Sequence, residues 1–169
     1  MSNVILIGYM GCGKSTVGRR LSYRLRMPYV DTDKLIETKE GKTISEIFAL
    51  QGESAFRDME TECVKSLFDY KQDYVIAVGG GLPMRKENRE LLNRLGTVIY
   101  LRAKPDTIYD RLKDDTSRPL LQGEDPMEKI CSMLNLRGPV YEDAAQLTID
   151  VDGKTFDEIL AEIEEAVRR

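Results

Sequence analysis

The residues with the clearest chemical potential lie between positions 8 and 16, where glycines, a lysine and two hydroxyl side chains follow closely. Their spacing matches G-x-x-x-x-G-K-[ST], which is typical of a phosphate-binding P-loop. Glycines let several backbone N–H groups face one polyphosphate, and a following helix adds a positive dipole end. The lysine would neutralise the β- and γ-phosphates, and the serine hydroxyl would bind Mg²⁺. The pattern is met by Gly8, Gly13, Lys14 and Ser15, and the candidate nucleotide-binding residues are Gly11, Cys12, Gly13, Lys14, Ser15 and Thr16.

The segments on both sides of this motif agree with a P-loop. The apolar run Val4–Ile7 precedes it, and Val17, Leu21 and Leu25 follow it at helical spacing. The alternative is a glycine-rich turn that binds no ligand. Because a strand before the motif and a helix after it are the expected context, the sequence predicts binding of a nucleoside triphosphate.

Length and composition exclude several classes of protein. A chain of 169 residues with 41% apolar content suits one soluble domain with a sizeable core. A net charge of −4 and a pI near 5.1 argue against binding of nucleic acid, which favours a basic face. No apolar run reaches the length of a membrane span, and a strand predicted almost at residue 3 leaves no room for a signal or transit peptide. We therefore expect a cytoplasmic protein.

The cysteine and histidine content narrows the chemistry further. Cys12, Cys63 and Cys131 are odd in number and lack metal-ligand spacing, so neither a disulfide framework nor a zinc site is expected. Cys12 is either a small filler of the P-loop or an oxidant-sensitive thiol beside Lys14. The chain has no histidine, so a general base must be a carboxylate, Lys, Tyr or Cys.

Strand-like and helix-like segments alternate along the chain, which predicts a doubly wound parallel α/β sheet. Residues 43–46 are typical of a capping box at a helix start, Pro105 opens another helix, and Thr155–Arg169 carries apolar residues on one face. The predicted strands are Val4–Ile7, Tyr29–Asp31, Tyr74–Val78, Thr97–Leu101 and Leu147–Asp150.

Residues 113–126 interrupt this alternation. The segment is charged, contains Pro and Gly, and is too long for an ordinary connection. In a kinase such a loop would act as a lid, because closure over ATP keeps water away from the phosphoryl group.

Polar residues follow three predicted strands. The P-loop follows the first strand, Asp31-Thr32-Asp33 the second and Gly79–Gly81 the third, and ligands in open α/β sheets bind outside these carboxyl ends. Asp31 could hold Mg²⁺ through water, and Asp33 could receive the proton of an attacking hydroxyl. The alternative is that both cap a helix starting near Lys34.

A GTPase would carry guanine-reading motifs, and N-K-x-D does not occur in the chain. Over nearly its whole length the chain instead resembles shikimate kinase. The motifs that carry the resemblance are Gly8–Thr16, Asp31-Thr32-Asp33, Gly52-Glu53 with Phe56-Arg57, Gly79–Gly81, Arg118-Pro119-Leu120-Leu121 and Arg137-x-Pro139-x-Tyr141.

This resemblance implies ATP-dependent phosphorylation of the 3-hydroxyl of shikimate, a step towards chorismate and the aromatic amino acids. It also implies a P-loop kinase fold with a five-stranded parallel sheet flanked by helices, within one domain of residues 1–169. A small substrate-binding subdomain would span about residues 33–61 and the lid about 113–126. Mg²⁺ would accompany ATP, and we expect a monomer.

The resemblance also implies roles for individual residues. Arg57 and Arg137 would bind the acceptor carboxylate, since arginine forks form paired charge-assisted hydrogen bonds. Asp33 would accept hydrogen bonds from substrate hydroxyls and act as base, and Gly79–Gly81 would let the backbone approach the substrate. Catalytic roles fall to Lys14, Asp33 and Arg118, nucleotide contacts also to Arg111 and Arg118, and metal binding to Ser15 and Asp31.

Plainer alternatives remain open at this point. Glu53 and Glu60 stand at i−4 and i+3 from Arg57, so a surface ion pair is its alternative role, and Glu60 could instead orient Arg57. A gluconate kinase would use the same P-loop and lid, and a silent nucleotide-binding module would need no acceptor. A nucleoside monophosphate kinase would show Gly-Thr after the P-loop lysine. Cys12 occupies a position where the family often has alanine.

Overall fold

The computed structural model describes residues 2–113 and 125–168, and within them five parallel strands form one sheet. The order across the sheet is β2-β3-β1-β4-β5. Each strand lies where the sequence predicts one, with ends that differ by one residue at most. The strands are β1 Asn3–Ile7, β2 Tyr29–Asp31, β3 Val75–Ala77, β4 Gly96–Arg102 and β5 Leu147–Asp150.

Helices connect the strands and cover the sheet. The first helix packs against β1, β2 and β3 and against the last helix, whereas α4 and α6 pack against β4. A short 3-10 turn, Leu82–Met84, follows β3. The helices are α1 Lys14–Leu25, α2 Thr32–Glu40, α3 Ile44–Leu67, α4 Lys86–Leu95, α5 Pro105–Leu112, α6 Pro126–Ala144 and α7 Phe156–Val167.

The central strand β1 explains why the P-loop has a rigid base. Its residues Val4–Ile7 are at most 1% exposed, as expected of a parallel strand covered on both faces. Ile5 pairs with Ile76 of β3 on one side and with Val98 of β4 on the other. The P-loop therefore leaves the middle of the sheet, at its carboxyl edge.

Helix α3 starts at the predicted capping box and breaks inside. Thr43 accepts from the backbone N–H of Glu46, and the Glu46 carboxylate accepts from the N–H of Thr43. Gly52 interrupts the helix with φ 87° and ψ 170°, a conformation that glycine adopts readily. The two halves of α3 therefore point in different directions.

The buried side chains form two clusters. The larger one covers the sheet, and the smaller one joins Ile36 of α2 with Ile47 and Phe56 of α3. Because Phe56 precedes Arg57, this small cluster sets the position of a candidate acceptor residue.

Part of the predicted lid lies outside the described residues. Helix α5 ends at Leu112 and α6 begins at Pro126, and residues 114–124, Arg118 among them, lie between the described ranges. In residues 2–113 and 125–168, no helix is both long and apolar enough to span a membrane.

Candidate active site

The P-loop adopts a backbone that glycine allows. Gly8, Gly11 and Gly13 have φ of 148°, 80° and 97°, in the range that side chains disfavour. Gly13 is the N-cap of α1 and has no side chain with which to cap the first turn. The N–H groups of that turn are therefore left for an anion, as the motif predicts.

Lys14 lies over this loop. Its ammonium donates to the carbonyl oxygen of Gly8 and, at 3.4 Å, to that of Tyr9. Ser15 follows in the first turn of α1 and is exposed. Cys12 is 1% exposed and belongs to the main core cluster, which fits a small filler of the loop.

Arg111, on helix α5, contacts the P-loop. Its Nη1 donates to the carbonyl of Gly11 at 3.3 Å, and a Cβ placed on Gly13 would lie 2.7 Å from the same nitrogen. Its guanidinium lies 5.5 Å from the ring centroid of Phe156, and that of Arg20 lies 4.9 Å from the same centroid. The sequence predicts Phe156 only as part of the apolar face of α7, and this stack beside the P-loop has no signal in the sequence.

Asp31 serves as the N-cap of α2, one of the two roles considered for it. Its Oδ1 accepts from the backbone N–H of Asp33 at 2.9 Å and of Lys34 at 3.4 Å. The expectation that the helix starts near Lys34 is wrong, since α2 begins at Thr32, directly after the cap. Asp33 lies in the first turn and is not the cap.

Asp33 lies against the glycine loop that follows β3. A Cβ placed on Gly79 would lie 2.8 Å from Asp33 Oδ1 and 3.2 Å from Glu60 Oε2. The buried Thr32 hydroxyl accepts from the N–H of Gly79 at 3.1 Å, a contact that sequence reasoning missed. Helix α2 and the glycine loop are thereby held side by side.

Two guanidinium groups flank the same glycine loop. A Cβ on Gly80 would lie 3.3 Å from Arg137 Nη1, and one on Gly81 would lie 2.5 Å from Arg57 Nη1. The buried Tyr141 hydroxyl donates to the carbonyl of Gly80 at 2.6 Å. Burial raises the pKa of Tyr141, so the phenol stays protonated and able to donate. The two arginines thus lie together against the loop backbone and give this edge a cationic character.

The buried carboxylate of Glu60 forms an ion pair with Arg57. Arg57 Nη1 donates to Glu60 Oε1 at 2.7 Å, and Nη2 donates to the exposed Glu53 at 3.3 Å. Glu60 is only 1% exposed, and burial raises its pKa to about 7, although Arg57 opposes this shift. Arg57 therefore forms both of the contacts that its sequence neighbours predict. It makes a surface ion pair with Glu53 and an orienting contact with Glu60.

Glu60→Gln should remove a pH dependence of the folding stability. The pKa of Glu60 is about 7 in the folded protein against 4.5 as reference, so between these values the folded protein binds a proton that the unfolded chain has lost. The wild-type free energy of unfolding should therefore fall as pH rises from 4.5 to 7, by about 3 kcal/mol from this group.

Urea unfolding at pH 5 and pH 8 measures this effect. The Gln variant should lose less stability between the two pH values than the wild type, whereas Glu53→Gln, which changes the exposed partner of Arg57, should behave as wild type. Identical pH dependence in Glu60→Gln and wild type would show that Glu60 titrates normally.

The predicted site residues therefore gather at one edge of the sheet. The acceptor candidates Asp33, Arg57 and Arg137 surround Gly79–Gly81, and the P-loop lies beside them, with the Gly8 carbonyl 3.6 Å from a Cβ placed on Gly80. Arg111 lies against the P-loop, and Arg118 is outside the described residues.

Comparison with known proteins identifies the family of this chain. The model of a family described as shikimate kinase matches residues 10–168. The shikimate kinase of Symbiobacterium thermophilum is 44% identical over 98% of this chain and 96% of its own length. That of Thermodesulfovibrio yellowstonii is 45% identical over 96% of this chain and 93% of its own length.

Solved structures show the same likeness. Shikimate kinase from Acinetobacter baumannii in complex with shikimate has a TM-score of 0.92 and 37% identity, over 99% of this chain and 93% of that one. Shikimate kinase from Bacteroides thetaiotaomicron has a TM-score of 0.90 and 31% identity, over 99% of both chains. This chain belongs to the shikimate kinase family, and its reaction is the ATP-dependent phosphorylation of shikimate.

Proposed function

We propose that the chain transfers the γ-phosphoryl group of ATP to the 3-hydroxyl of shikimate at the carboxyl edge of its sheet, in aromatic amino-acid biosynthesis. The observation that carries this assignment is the position of Arg57 and Arg137 on either side of Gly80–Gly81, with Asp33 against Gly79. The two arginines would bind a carboxylate there. Asp33 would accept hydrogen bonds from hydroxyl groups, including the one whose oxygen accepts the phosphoryl group.

On the acceptor side, the two guanidinium groups bind the carboxylate of shikimate. Charge-assisted hydrogen bonds of this kind contribute roughly 1.5–3 kcal/mol each. The ion pair with Glu60 holds Arg57 in place, and the bond from Tyr141 to the Gly80 carbonyl holds the loop. Gly79–Gly81 let the backbone lie close to the substrate, because a side chain at Gly79 or Gly81 would crowd Asp33 or Arg57.

Asp33 receives the proton of the attacking hydroxyl. An aspartate is a weak base for an alcohol, since its unperturbed pKa is about 3.9. Phosphoryl transfer tolerates a weak base, because its loose transition state depends on positioning and on neutralisation of charge more than on early proton removal. Lys14 supplies part of that charge at the P-loop, and Arg118 would add to it from the lid.

The nucleotide side fits a divalent cation, which kinases that use ATP generally need, and we assign Mg²⁺. Ser15 offers an exposed hydroxyl in the first turn of α1, and Asp31 offers a carboxylate at the end of β2. Oxygen donors of this kind suit Mg²⁺, which keeps several waters and phosphate ligands. In residues 2–113 and 125–168, no three acidic, cysteine or histidine side chains cluster around one point, so phosphates and water would complete its ligands. When bound, the ion neutralises phosphate charge.

The remaining assignments concern organisation. We assign one domain, with a substrate-binding subdomain at about residues 33–61 and a lid at about 113–126, and a monomer in the cytoplasm.

ADP release by the purified protein with Mg²⁺-ATP tests this function. Release should be strong with shikimate and near background with gluconate or without an acceptor, and two-dimensional NMR of the product should place the phosphate on the 3-hydroxyl. Phosphate on another hydroxyl would overturn the placement of Asp33. Stimulation by gluconate alone would overturn the acceptor pocket.

A further inference from the structure

The hydroxyl of Tyr29 is buried and forms no hydrogen bond of normal geometry. In residues 2–113 and 125–168, it shares this state with one other side-chain oxygen, Glu60 Oε2, which lies in the acceptor pocket. Buried polar atoms are almost always paired, so an unpaired one in a native structure calls for an explanation. None of the roles proposed for the site residues involves Tyr29.

The ring of Tyr29 is held against the helix that starts at the P-loop. A Cβ placed on Gly18 would lie 2.5 Å from Tyr29 Cε1, so the ring lies directly on the backbone of α1. The guanidinium of Arg19 lies 5.9 Å from the ring centroid. Because the phenol oxygen lies in the plane of the ring, this packing also sets its position.

This packing places the Tyr29 hydroxyl near Ser15 and Asp31, the two residues assigned to the cation. Ser15 stands three positions before Gly18, on the same face of α1, and Asp31 stands two positions after Tyr29, on the same face of β2. The Asp31 carboxylate acts electrostatically on the phenol, and the Ser15 hydroxyl lies close enough to interact with it, although Ser15 and Tyr29 form no hydrogen bond of normal geometry.

We propose that Tyr29 is a positioning residue, whose phenol oxygen accepts a hydrogen bond from the Ser15 hydroxyl when Ser15 Oγ binds the cation of the bound nucleotide. This inference rests on the proposed metal role of Ser15. A hydroxyl that gives a lone pair to a cation has a more strongly polarised proton and needs an acceptor for it. Asp31 Oδ1 already accepts two backbone N–H bonds in its cap, whereas the Tyr29 oxygen takes part in no hydrogen bond of normal geometry.

Calorimetry of ADP binding with and without Mg²⁺ tests this role. Tyr29→Phe keeps the ring and removes only the oxygen. It should weaken binding of ADP in the presence of Mg²⁺ about 3- to 10-fold, as expected for one hydrogen bond, and leave binding of ADP in EDTA unchanged. The melting temperature without nucleotide should stay level or rise, because a buried unpaired hydroxyl is removed.

Two further variants give the test its controls. Tyr74→Phe removes the hydroxyl of another half-buried tyrosine, whose ring packs against Tyr70 just before β3, and its metal-dependent binding should match the wild type. In a Ser15→Ala background, Tyr29→Phe should cause no additional loss, since the two groups act as a pair.

Each other outcome overturns the inference. An equal loss with Mg²⁺ and with EDTA would mean that Tyr29 supports the loop by packing alone, and no loss in either would mean that its oxygen plays no part. If Ser15→Ala weakens Mg²⁺-dependent binding and Tyr29→Phe does not, the metal site stands and only the role of Tyr29 fails. If Ser15→Ala leaves metal dependence intact, the proposed metal site fails and the role of Tyr29 fails with it.

Discussion

Asp33→Asn should reduce turnover by about 10²- to 10⁴-fold, the usual contribution of a positioned general base. The substitution keeps size and hydrogen bonding, so the contact with the Gly79 backbone should persist. ATP affinity should change little, because Asp33 lies against Gly79 and not in the P-loop. Steady-state kinetics with shikimate, together with calorimetry of nucleotide binding, measure both quantities.

Asp31→Asn is the matched control for this substitution. Asparagine caps helices as well as aspartate does, so α2 should form normally in both variants. The control should show a smaller loss of turnover, which rises towards wild type at high Mg²⁺ if Asp31 helps to hold the cation. Near-normal turnover in Asp33→Asn would remove Asp33 as the base.

Arg57→Ala should raise the KM for shikimate by about 100-fold or more. Loss of two charge-assisted hydrogen bonds to a carboxylate accounts for an effect of this size. The nucleotide KM should stay within about twofold, since the residues proposed to bind the nucleotide are those of the P-loop and Arg111, which contacts it. Kinetics with each substrate varied in turn separate the two effects.

Two further variants separate binding from folding. Arg57→Ala leaves Glu60 buried without its partner, which should destabilise the protein, and the added change Glu60→Gln should restore stability without restoring affinity. Gly81→Ala keeps Arg57 but displaces its guanidinium, because the new Cβ would lie 2.5 Å from Nη1. It should also raise the shikimate KM. Equal losses for both substrates in Arg57→Ala would mean that the arginine is structural.

The parts of the fold that the sequence predicts are those specified by neighbouring residues. Each strand is a short apolar run between turn signals, and the P-loop motif places its own strand and helix on either side. The capping box at Thr43 and Glu46 is equally local, and it forms as predicted. Asp33 and Gly79–Gly81 lie close together because each follows the carboxyl end of a strand in a parallel sheet. The sequence alone therefore predicts this proximity.

The contacts that sequence reasoning missed join residues far apart in the chain. Thr32 bonds to Gly79, Arg111 stacks on Phe156, and Tyr29 lies on Gly18, and no local pattern signals any of these. The pKa of Glu60 depends on burial, which spacing alone does not reveal. The start of α2 was misplaced because a cap two residues earlier is compatible with the same sequence pattern.

The separation of the buried side chains into two clusters has a consequence for how the enzyme responds to heat. The P-loop rests on the large cluster around the sheet, whereas Ile36, Ile47 and Phe56 form a small cluster of their own, near the break at Gly52. Regions with little buried apolar contact open at lower free energy than the main core. On warming, backbone amides of α2 and the first half of α3 should exchange with solvent before those of β1 and β4. The enzyme should therefore stop binding shikimate at temperatures at which it still binds nucleotide.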